Sequence, residues 1–178
     1  RWRGTKVGGG SHEGVVRLAG GRLRLREGRV TGGSFTVDMT SIAVTDIPPR
    51  EVEARRQLRS HLAHEEFFGV ERFPAARFVI TSVREGRHGL HEVSGNLAIR
   101  DSVHNVTFRA EAPVLSPEAV WATADFSIDR QLWGIDFDGR TSALRDAVVH
   151  DPIRLGLRLV ADRASCGGGG GAGTRTRG

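Results

Sequence analysis

Cysteine, methionine and lysine each occur once in this 178-residue chain, and tyrosine is absent. The lone Cys166 excludes an internal disulfide and cannot build a thiolate metal cage. Long apolar runs are missing, so no segment reads as a transmembrane helix. Charge of one sign is also scarce: 26 Lys and Arg against 21 Asp and Glu leave +5. Subtracting Arg175 and Arg177, which lie in a C-terminal glycine-rich stretch, leaves +3. That balance is too mild and too scattered for a nucleic-acid binder. With 38% hydrophobic and 26% charged residues, the chain can still bury a core, and its length suits one domain with at most a tail.

The familiar catalytic signatures are missing too. There is no Gly-x-Ser-x-Gly elbow, no Gly-Lys-Ser/Thr phosphate loop and no His-Glu-x-x-His. Gly8 to Glu13 reads GGGSHE and fits neither a phosphate loop nor a dinucleotide fingerprint. His61 and His64 stand three apart beside Glu65 and Glu66, a spacing that suits either a metal or a solvated charged face. We read it as the latter and assign no metal and no cofactor. His88 and His91 flank Gly89 and read as exposed, and the sequon Asn105-Val106-Thr107 lies within a predicted strand. His12 sits in a glycine frame, where it can hydrogen-bond across strands or face a ligand headgroup.

What the chain has in quantity is a period of two. Val16 and Leu18 alternate with Val15 and Arg17, Ala19-Gly20-Gly21 reads as a turn, and Leu23 and Leu25 alternate with arginines. Phe35, Val37 and Met39 oppose Ser34, Thr36 and Asp38. Further sets start at Phe78, Val93, Val106 and Ala122, and the clearest is Ile153, Leu155, Leu157 and Leu159. Glu27-Gly28, Glu85-Gly86, Pro113 to Pro117, Asp138-Gly139 and Asp151-Pro152 read as turns between them. Glu51 to Glu66, free of Gly and Pro, predicts one surface helix, with Arg59 and His61 toward water. The fold class is therefore all-β: an antiparallel barrel or sandwich of about eight strands with one surface helix. A barrel removes exposed edges, and about eight strands leave room for packed side chains or one slender ligand. A hollow lumen and a solid core of Val, Leu and Ile share this pattern.

Taken in order, the motifs resemble the YceI-like family of lipid or polyisoprenoid-binding proteins. Trp2-Arg3-Gly4-Thr5-Lys6 resembles its opening strand, and Ser11-His12-Glu13-Gly14 its Gly-x-His-x-Gly element. Gly32-Gly33-Ser34-Phe35-Thr36-Val37-Asp38-Met39-Thr40-Ser41-Ile42 resembles Gly-Gly-x-Phe-x-Val-Asp-Met-x-Ser-Ile. Phe67-Phe68-Gly69-Val70 with Phe73-Pro74-Ala75-Ala76-Arg77-Phe78 resembles the segment after its helix. Val93 to Ile99 and Ile128-Asp129-Arg130 with Trp133-Gly134-Ile135 complete the set. The resemblance spans roughly residues 2 to 160. It implies an extended lipocalin-like barrel over residues 1–161 with a long apolar tunnel, export to the periplasm, an isoprenoid-type or other long-chain lipid as partner, and no enzymatic activity. Ala63-His64-Glu65-Glu66 departs from the family's Lys-Ser-Asp-Asp run.

Alternation alone selects Phe35, Val37, Met39, Phe78, Ile80, Leu97, Ile99, Phe108, Phe126 and Ile128 as lining candidates. Arg130 and Trp133 are candidates for the rim or headgroup; alternatively Arg130 forms a structural pair with Asp129 or Asp136. Two other functions stay open: a small barrel enzyme using His12 or Arg130, and a closed-core interaction module. Ala110→Trp, which a hollow barrel tolerates and a packed one does not, would separate them. A homodimer is compatible with the sequence. Residues 162–178, with seven glycines in the last 13 positions, read as a disordered tail in which Cys166 is an incidental thiol. The start on strand-like sequence without Met reads as a truncation or a processed export signal.

Overall fold

The alternating segments form strands of one antiparallel sheet that closes on itself. In a computed structural model, residues 1–136, 149–163 and 173–177 are described. Strands β1 (Trp2–Lys6), β2 (Ser11–Arg26) and β3 (Arg29–Val44) precede helix α1 (Val52–Ala63). After it come β4 (Ala75–Glu85), β5 (Leu90–Ile99), β6 (Ser102–Glu111), the two-residue β7 (Val114–Leu115) and β8 (Ala119–Asp129). A 310 turn (Arg130–Trp133) leads toward β9 (Val149–Asp162) and β10 (Gly173–Arg177). Eight strands make the ring, in the order β1-β2-β3-β4-β5-β6-β8-β9, with the β9–β1 pairing completing it. Closure leaves none of the eight with a fully open edge.

Two local devices shape the long β2–β3 hairpin. The turn expected at Ala19-Gly20-Gly21 is instead a bulge within one 16-residue strand: Leu18 pairs with Val37 and Gly20 with Thr36, leaving Ala19 extra. The chain reverses at Glu27-Gly28, where both residues have positive φ (52° and 75°), as a two-residue hairpin loop requires. On β3 the register jumps from Asp38 to Ala43. Asp38 organises that jump by accepting from Thr40 N (3.0 Å), while Ser41 Oγ donates to Asp38 O (2.6 Å) and accepts from Arg17 N (2.8 Å). The bulge turns both Met39 and Ile42 inward, where each is buried.

The seam between β6 and β8 is thin, with Ala110 opposite Ala124 its one registered pair. The segment after β8 packs against the β5–β6 hairpin. Trp133 Nε1 donates to Leu97 O (3.0 Å), its ring meets the edge of His104 at 5.3 Å, and Arg100 Nη1 donates to Gly134 O (2.9 Å). Trp133 and Ile135 are each 1% exposed, so this motif is a structural wedge.

Three expectations need correction. The predicted turn at Asp151-Pro152 lies inside β9, where Pro152 faces Asp129 across the β8–β9 ladder. The helix ends at Ala63 rather than Glu66. The C-terminal stretch is not disordered throughout, because Gly173–Arg177 lies between β2 and β9, pairing Thr174 with Leu23 and Thr176 with Ala161. A strand bonded on both edges is held by its backbone and needs no apolar side chains of its own. Residues 164–172, Cys166 among them, and the expected turn at Asp138-Gly139 lie outside the described residues.

Candidate functional site

The barrel interior is divided in two. At one end Leu23, Phe35, Ile80, Val93, Phe108, Val120, Leu159 and Ala161 pack together and leave a void of only about 60 Å³. At the other end Met39, Ile42, Leu97, Ile99, Ile128, Trp133 and Ile135 surround a cavity of about 440 Å³. Phe78, Val106 and Phe126 pack against both groups and form the partition. Phe126 stacks on Phe108 with centroids 4.1 Å apart and planes 8° apart, and Phe78 lies 5.8 Å from Phe108. Gly95 makes room for this arrangement. A Cβ there would meet the Phe78 ring and lie 2.6 Å from Val79 O.

The wall of the larger cavity draws on most of the ring. Trp2 and Gly4 come from β1, Val16 from β2, Val37 and Met39 from β3, Ala76 from β4, Leu97 and Ile99 from β5, and Ile153 and Leu155 from β9. The Trp2 indole lies against Gly14, where a Cβ would collide with it. Helix α1 covers one side and, contrary to the sequence reading, does not turn its His61 simply to water. Leu58, His61 and Leu62 line the cavity, and His61 lies 5.7 Å from the Phe67 ring. Burial lowers the His61 pKa below the usual histidine value, against an opposing pull from Glu66. The helix is pinned by Arg55 Nη2 donating to Val44 O (2.9 Å) and Arg59 Nη2 donating to Thr40 O (3.4 Å). Only Leu62 of the helix is fully buried.

Polar groups are few in this lining: Lys6, His12, Gln57, His61 and Arg130. His12 Nδ1 is 2.8 Å from Asp46 Oδ2, and Asp46 Oδ1 accepts from Glu13 N (3.0 Å). Burial alone would raise the Asp46 carboxyl, but the Glu13 amide and His12 outweigh it and hold the pKa below the usual range. Arg130, 4% exposed, donates to Ile135 O and to Asp151 Oδ1 (3.1 Å). The sequence suggested Asp129 or Asp136 for this pairing, and the carboxylate observed on the guanidinium is that of Asp151. Asp129 is occupied in capping the 310 turn through Gln131 N (3.0 Å). Among the described residues, no group of three or more His, Cys, Asp or Glu could hold a metal, and no helix is long and apolar enough to cross a membrane.

The sequence-selected residues therefore fall into three places. Val37, Met39, Leu97, Ile99, Ile128, Arg130 and Trp133 line the large cavity. Phe35, Phe78, Ile80 and Phe108 line the small void beyond. Phe126 stands between the two. The single continuous tunnel implied by the resemblance is thus interrupted by aromatic rings. Sequence reasoning missed the helix face, the β1 residues and Ile153 and Leu155. For the last two the alternating signal was present but was not extended to the lining.

The family model for the YceI-like domain matches residues 2–161. No curated protein matches the sequence. Among solved structures, Burkholderia cenocepacia BcnA superposes with a TM-score of 0.64 at 15% identity, covering 90% of this chain and 94% of its own. The Campylobacter jejuni YCEI protein gives 0.59 at 15% identity, over 86% and 82%. A polyisoprenoid binding domain from Saccharophagus degradans aligns more loosely, at 0.47 and 11% identity over 99% and 97%.

Proposed function

The chain belongs to the YceI-like domain family, and from that premise we propose that its barrel binds the apolar chain of a polyisoprenoid or similar amphiphile and performs no chemistry on it. The observation that carries this reading is the 440 Å³ cavity with its nearly wholly apolar wall, covered by α1. At about 0.8 kcal/mol per buried methylene-sized group, each prenyl unit contributes roughly 3–4 kcal/mol as an upper bound. A few units offset the cost of association and reach micromolar binding.

The polar rim suits a headgroup. Lys6, the only lysine of the chain, reaches the lining and makes no ion pair with a described residue. Beside it the His12–Asp46 pair offers a second fixed polar point. An exported location belongs to the same proposal, and cell fractionation tests it. Organic extraction of natively purified protein should release a lipid, and a fluorescent prenyl analogue should bind. Failure of both ends the reading. A barrel enzyme built on His12 would show turnover that His12→Ala abolishes while binding persists.

A further inference from the structure

We propose that the Phe78–Phe108–Phe126 partition acts as a length ruler, so that the cavity houses three to four prenyl units of a guest and no more. The inference rests on the binding reading above and specifies its ligand. An apolar protein cavity on the order of 150 Å³ takes one benzene. By that measure the 440 Å³ available here takes about 18 carbons, between a farnesyl and a geranylgeranyl chain.

The next unit has nowhere to go. Phe108 is 8% exposed and its ring is stacked on Phe126, which packs against both halves of the core. The void behind holds about 60 Å³, well under the space of one six-carbon ring. Phe78 cannot tilt aside toward β5 unopposed, because its ring already occupies the space above Gly95. At the opposite end the helix and the polar rim face solvent, so a longer chain leaves its surplus in water and gains no burial.

The test is a series of prenyl alcohols sharing one headgroup (geranyl, farnesyl, geranylgeranyl and octaprenyl) competed against a fluorescent farnesyl analogue. Affinity should rise about tenfold or more per unit up to the third or fourth unit and then level off or fall. Phe126→Ala should move the break toward longer chains. Val37→Phe, which fills the hollow half without removing any packing, should move it toward shorter ones and serves if the first variant fails to fold. A break unmoved by Val37→Phe, or affinity still climbing from geranylgeraniol to octaprenol, overturns the ruler while leaving lipid binding intact. Binding of no alcohol at all overturns both.

Discussion

Two tryptophan substitutions, one at each end of the barrel, separate a hollow interior from a packed one. Ala76 is 5% exposed and lines the 440 Å³ cavity, whereas Ala110 borders the 60 Å³ void. An added indole needs room comparable to the roughly 150 Å³ that houses a benzene. That is about a third of the first space and more than twice the second. Ala110→Trp therefore overpacks, at a cost of about 1–3 kcal/mol. For a domain of this size each kcal/mol lowers Tm by about 2–4 °C, so the melt should drop by about 2–12 °C. Ala76→Trp should leave Tm within about 2 °C of the parent, since the ring buries apolar surface without displacing any, and should abolish binding of the prenyl analogue. Thermal melts followed by circular dichroism and fluorescence titration read both quantities on the same samples. Equal destabilisation by the two changes would show that the cavity end is as solid as the other. Full binding by Ala76→Trp would place the guest elsewhere. Ala110→Trp alone, which the sequence suggested as the discriminating change, cannot decide the matter, because Ala110 lies on the packed side.

His61 has a folded pKa below its unfolded one, so below about pH 6.5 the unfolded chain takes up more protons and stability declines as pH falls. Denaturant titrations between pH 7 and pH 5 should show that decline, and His61→Gln should flatten it. Gly95→Ala forces a methyl group against Phe78 and Val79 O and should cost about 1–3 kcal/mol in chemical denaturation, with prenyl binding weakened because the partition shifts. Asp151→Asn removes one carboxylate from the 4%-exposed Arg130; because Asp151 itself is 44% exposed, the loss should fall between the surface-pair and buried-pair ranges, at about 1–2 kcal/mol. An unchanged midpoint there would mean that the Asp151 carboxylate does not help to hold the guanidinium.

Strand identity was legible because side chains alternate, and each of the alternating sets in β3, β4, β5, β6 and β8 lies in an observed strand. Inside versus outside was legible for the same reason: Phe35, Met39, Leu97 and Phe108 are all buried. Position along the barrel axis was not. Alternation says which face a residue takes but not its height, so Phe35 and Val37, two apart on β3, gave no sign that one lines the packed end and the other the hollow end. Irregular backbone was equally hidden. Ala19-Gly20-Gly21 carries turn chemistry, yet a bulge satisfies it, and the Asp38–Ser41 bulge is written in side-chain hydrogen bonds that no periodicity reports. The inward face of α1 escaped because Leu58 and Leu62 make too narrow a stripe to look like the cover of a cavity.

The asymmetry between the two ends has an energetic meaning. Core side-chain truncations cost about 24 cal/mol per Å³ of closed cavity, so packing 440 Å³ with side chains would be worth at most roughly 10 kcal/mol. That is comparable with the whole stability of an ordinary domain, about 5–15 kcal/mol. The same chain packs its other end down to a void of about 60 Å³ with residues of the same kinds, so it does not lack the means to fill space. At the hollow end the long side chains are held back from the axis. Trp2 is laid against the wall beside Gly14, and Trp133 is tied to the β5–β6 hairpin by Leu97 O. Two of the three tryptophans thus line the large cavity instead of filling it. A fold that spends its bulkiest residues on walls forgoes packing energy which an apolar guest can restore, and the cover over that space is a helix that buries a single residue fully, Leu62, and so rests on few apolar contacts.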